Sequence, residues 1–242
     1  MLYLLRRGYH PETNVLPPLY SQLSGALAGF ALAGFSIFLA ADDLPPRAGS
    51  VSAALFSSFV SFVLLAVLYT TLADDPSSAR RAVGLNIYGL PFGLAIVNLI
   101  YTLTLVATDR PALTATVNIG RLLVVVFGPV IVMSRLVVAA QKVPIYPGQG
   151  QLSLRLGWSL TAAQLLVGVV AIVAAAMLDS MPSLGVLPAF FGLGAATLVG
   201  LLSAFVHAQH SEARIRPAHP HAFLASSFAA LSGFAVLTAL AL

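Results

Sequence analysis

The chain has 242 residues, 59% hydrophobic and only 8% charged, with a formal net charge of +4 from 12 Lys+Arg and 8 Asp+Glu. A soluble domain carries roughly 25% charged residues, so a water-facing surface over the whole chain is excluded, and the mean hydropathy of +0.94 agrees. There is no cysteine, which removes thiolate catalysis, Fe–S clusters, Cys-ligated zinc and c-type haem attachment. A polytopic, all-α membrane protein remains.

The chain opens with an arm over 1–18 in which Arg6, Arg7, Tyr9, Pro11, Pro17 and Pro18 read as a segment lying at the membrane interface. Its apolar part, Leu2 to Leu5, is too short for a cleavable signal. Crossing a hydrocarbon core takes about 20 mostly apolar residues, and seven stretches then qualify: 19–41, 51–73, 82–107, 113–139, 155–178, 184–207 and 221–242. The first carries small residues at four-residue spacing, Ser21, Gly25, Gly29 and Ala33. Such ridges let helix backbones approach closely inside a bilayer. The third span has Gly89 and Gly93 flanking Pro91, the fourth has Pro129 at its middle, and the seventh has Ser226, Ser227, Ala230 and Gly233. The glycines Gly25, Gly29, Gly89, Gly93 and Gly233 are expected to pack helices, within one protomer or between copies.

The breaks between spans are rich in proline and small polar residues, which end helices by removing a donor or offering the backbone another one. They are too short to hold a soluble domain, so 1–242 reads as one transmembrane domain. Eight basic residues (Arg6, Arg7, Arg80, Arg81, Lys142, Arg155, Arg214 and Arg216) fall on one alternating set of segments, and only Arg47 and Arg110 on the other. The excess marks the cytoplasmic side. The N-terminus is therefore expected inside and the C-terminus outside, in the multi-pass setting of a plasma membrane. The Ala-, Gly- and Arg-rich, Lys-poor usage suggests a bacterial one. Lys142 is the single lysine, so the last span holds no site for a retinal Schiff base.

Ionisable residues inside spans are the informative ones, because each costs about 2.5–3.5 kcal/mol at the bilayer centre. Arg121 and Arg135 stand fourteen residues apart in the fourth span, roughly 21 Å along a helix and close to four whole turns. Both then project on nearly one face, with Asn118. Snorkelling, a structural role on carbonyls freed at a proline or on Asn98 and Tyr101, and a water-facing pore or ligand site all fit this stripe. Two arginines so far apart do not make a voltage sensor. Asn86, Asn98, Tyr101 and Gln164 are the other candidates for a polar interior, with interhelical hydrogen bonds as the plainer reading. No span carries an Asp or Glu in its interior, so the usual machinery of ion-coupled transport is missing.

Four of the five histidines, His207, His210, His219 and His221, cluster between the sixth and seventh spans. Three such ligands and a water can hold a catalytic zinc, but Arg214 and Arg216 in the same loop repel a cation, and a solvated loop facing lipid headgroups is the plainer reading, with a pH sensor as another. No catalytic set, no metal and no cofactor is assigned. The expected partners are the lipid bilayer and, with the small-residue faces, further copies or other membrane subunits; nucleic acid is not among them. Three functions are compatible: a passive channel for ions or small solutes, leaning to anions if Arg121 lines the path; a non-catalytic membrane subunit or scaffold binding other transmembrane helices; and an intramembrane metal-dependent enzyme using the histidine loop.

Overall fold

A computed structural model describes residues 12–40, 47–75, 78–142, 154–178, 181–208 and 220–242. Among them there is no strand, and seven helices follow the seven expected stretches. They are α1 (Glu12–Leu39), α2 (Ala48–Ala73), α3 (Ser78–Thr108), α4, α5 (Leu154–Met177), α6 (Leu187–Ala208) and α7 (Pro220–Ala241). Helix α4 is composite: an α-helical part Thr114–Leu122, a π-turn Leu123–Phe127 and a second α-helical part Gly128–Lys142. Short 3-10 turns, Pro111–Leu113 and Pro182–Val186, lead into α4 and α6. Among the described residues, six helices are long and apolar enough to cross a membrane. The protein is a multi-pass integral membrane protein.

Helix α1 begins at Glu12, so part of the expected interfacial arm is helical, with Pro17 and Pro18 inside it. A proline removes the hydrogen bond to the carbonyl four residues back. Here that touches only Thr13 and Asn14, in the opening turn.

Helix α3 is the hub. It packs on α1, α2, α4, α6 and α7, and 61% of its membrane-length window is buried, against 17% for α1 and 22% for α5. Lipid tails are as apolar as leucine, so close van der Waals packing replaces the hydrophobic effect as the cohesive force between helices. The α3–α4 seam is built for this. A Cβ on Gly93 would come within 2.5 Å of Val132, and one on Gly89 within 3.3 Å of Leu136. Gly233 does the same on α7, where a Cβ would lie 3.2 Å from the Phe191 ring.

Gly25 and Gly29 take no part in packing within the protomer. Both are exposed, and a Cβ on either meets nothing within 4 Å. The reason is a second small stripe on the same helix: α1 turns Ser24, Ala28 and Ala31 inward instead, all buried, leaving the glycine stripe uncovered.

The π-turn has a clear cause and a large effect. Pro129 has no N–H to give the Val125 carbonyl, and Gly128 N–H donates to Leu123 O, five residues back. A π-turn holds one extra residue, which rotates everything after it by about 100°, one residue's worth of α-helix. Arg121 and Arg135 flank that turn and reach different neighbours, so the single polar stripe expected on α4 is divided in two.

Candidate functional site

One polar cluster forms where α7 ends. Carbonyls at the end of a helix lack intrahelical donors, and here three in succession are capped from three segments. Met181 N–H donates to Leu240 O at 2.8 Å, the Arg47 guanidinium to Ala241 O at 3.4 Å, and Arg121 Nη2 to Leu242 O. Tyr101, fully buried on α3, donates its hydroxyl to Gly185 O at 2.8 Å in the neighbouring 3-10 turn. Two guanidiniums at the negative end of a helix dipole are electrostatically well placed. Arg121 is half-buried, and its Nε is buried without a partner. Asn118, one turn earlier, is exposed.

Arg135 belongs to a second cluster, toward the other end of α4. Its Nη2 donates to the Tyr20 hydroxyl of α1, and its guanidinium carbon sits 5.7 Å from that ring's centroid. Tyr20 stacks on Tyr69 at 5.2 Å and meets Phe92 edge-on at 5.3 Å, and Tyr69 meets Tyr88 edge-on at 5.5 Å. Beside it Ser21 Oγ donates to Ala66 O at 3.0 Å and lies 2.8 Å from Thr70 Oγ1. Aromatic pairs of this geometry contribute about 0.5–1.5 kcal/mol each beyond their area, so this cluster ties α1, α2, α3 and α4 together.

The remaining polar candidates lie between helices. Asn98 Nδ2 on α3 donates toward Ala54 O, Ser57 Oγ and Ser58 Oγ on α2 at 3.2, 3.1 and 2.9 Å, and Ser61 Oγ continues the knot to Ser57 O at 2.7 Å. Gln164 on α5 is wholly buried and accepts from Ser232 Oγ of α7 at 3.2 Å. Asn86 is half-buried, with its Oδ1 unpartnered. The structure thus divides Arg121, Arg135, Asn98 and Gln164 among separate helix pairs. Tyr101 shares with Arg121 the packing around the end of α7.

His210 and His219 lie outside the described residues, as do the side chains of His207 and His221. Among the described residues no three His, Cys, Asp or Glu side chains gather as a metal site. The described surface includes a groove of about 370 Å³ beside Thr70, Thr71 and Asp74 and one of about 300 Å³ between α5 and α7. Arg47, Tyr20 and Tyr69 were not singled out by sequence reasoning. Arg47 did carry one signal, as one of only two basic residues on the charge-poor side; the tyrosines carried none, because an interfacial belt produces the same pattern. The chain matches no family model, no curated protein and no solved structure.

Proposed function

We propose that the protein is a non-catalytic subunit of the bacterial plasma membrane, N-terminus inside, that binds other transmembrane helices through the uncovered face of α1. One observation carries this reading: Gly25 and Gly29 are exposed with nothing within 4 Å. Gln22, Ala33 and Ser36 continue the same face and are exposed as well. A small-residue stripe lets a second helix come close, and an amide such as that of Gln22 is costly to leave against lipid tails and gains a hydrogen bond from a helical neighbour.

Replacing Gly29 with Ile tests this, since the added side chain has open space in the protomer. Association, read by disulfide cross-linking from a cysteine at position 25 or by co-purification from native membranes, is expected to fall at least tenfold while the thermal unfolding midpoint stays unchanged. Undiminished association in a folded Gly29→Ile protein would refute the reading.

A passive channel for ions or small solutes is the second reading. It draws on the buried polar atoms without partners, Asn98 Oδ1, Gln164 Nε2 and Arg121 Nε, which water in a polar path would satisfy. Solute and ion flux in liposomes, measured on the same purified protein, separates the two.

A further inference from the structure

We infer that the junction of α4, α5 and α7 is a binding site for a single water molecule, held between the side-chain amide of Gln164 and the carbonyl oxygens that the π-turn releases. The acceptors come from two departures from α-helical bonding. The Val125 carbonyl would ordinarily receive the N–H of residue 129, and that residue is proline. The Val124 carbonyl would ordinarily receive the N–H of Gly128, which goes to Leu123 O instead. Lipid offers no donor at this depth.

The donor is Gln164 Nε2. Gln164 is 0% exposed, and its Nε2 has no partner. Its Oε1 is fixed by Ser232 Oγ, which leaves the Nε2 side of the amide free to face another group. The two halves of the site share one level of the bundle. Gly168 on α5 lies against the π-turn so closely that a Cβ there would come 2.8 Å from Val125 O and 3.0 Å from Val126 Cα. Gln164 precedes Gly168 by four residues, one helical turn and about 6 Å. A water there accepts from Nε2 while donating to the carbonyls, in hydrogen bonds of about 2.9 Å. Three polar partners are the usual complement of a buried water. Arg121, a sequence candidate for carbonyls freed at Pro129, is engaged at Leu242.

The test uses the full chain in lipid bilayers. In solid-state NMR, the Gln164 side-chain amide protons, assigned by their disappearance in Gln164→Met, are expected to show a cross-peak to slowly exchanging bound water. Pro129→Ala returns an N–H to Val125 and is expected to weaken that cross-peak at least threefold. Cross-peaks to protein protons alone in the folded parent protein would overturn the inference, and so would an undiminished water signal in folded Pro129→Ala. Should Pro129→Ala not fold, a high-resolution density map of the parent protein decides it. A peak within hydrogen-bond distance of both Gln164 Nε2 and Val125 O is expected, and its absence where both groups are well ordered overturns the site.

Discussion

Removing the charge of Arg121 while keeping a polar side chain, as Arg121→Gln, is expected to weaken the bundle and leave the permeability of whatever folds unchanged. The guanidinium donates to Leu242 O at the end of α7. A hydrogen bond to a charged group is worth about 1.5–3 kcal/mol, and a cation at a helix C-terminus adds about 0.3–1 kcal/mol. Against that, polar contacts within membranes average about 0.6 kcal/mol, because the unfolded chain in the bilayer finds other partners. The net expectation is a loss of about 1–3 kcal/mol, a five- to 150-fold fall in the folded-to-unfolded ratio. Steric-trapping or denaturant titration in bicelles measures it. Arg47→Gln should cost less, since its bond to Ala241 O is long at 3.4 Å. The double variant should depart from additivity, because both residues act on the same helix end. An Arg121→Gln protein within 0.5 kcal/mol of the parent would refute the capping role. One with altered ion preference and normal stability would return Arg121 to a conduit.

At Gly93 the added methyl of Gly93→Ala meets Val132 at 2.5 Å, so overpacking should destabilise by about 1–3 kcal/mol; Val132→Ala in the same chain should recover most of it in thermal unfolding. Asn98→Leu removes the donor shared by Ala54, Ser57 and Ser58 and should cost about 1–2 kcal/mol, read as a lowered unfolding midpoint; an unchanged midpoint would show that the knot contributes nothing. The parent chain has no cysteine, so a single cysteine at Asp179 should react with an impermeant maleimide only from outside the cell, and labelling from the cytoplasm alone would reverse the orientation.

Apolar length and loop chemistry were legible in the sequence, and the expected spans 51–73, 82–107 and 155–178 lie within a few residues of α2, α3 and α5. The faces were less so. Periodicity assigned Arg121 and Arg135 to one side of α4, and the extra residue in the π-turn at Leu123–Phe127 separates them; Pro129 signalled a disturbance there but not its sense. On α1, the glycine stripe and the Ser24–Ala28–Ala31 stripe are both small, so composition could not say which packs inward. Which carbonyl Arg121 reaches depends on the end of α7, more than a hundred positions away in the chain, and no local pattern encodes that pairing.

The cap on α7 also bears on how the chain matures. Synthesis delivers N-terminal segments first, so α4 enters the bilayer carrying Arg121 long before α7 exists. Until the seventh helix arrives, a guanidinium stands at a helix surface without its final acceptor, a costly state in hydrocarbon. A chain truncated before 220 is left permanently in that state. Completion of α7 would then be the event that conceals the charge, coupling maturation of the protein to the arrival of that helix.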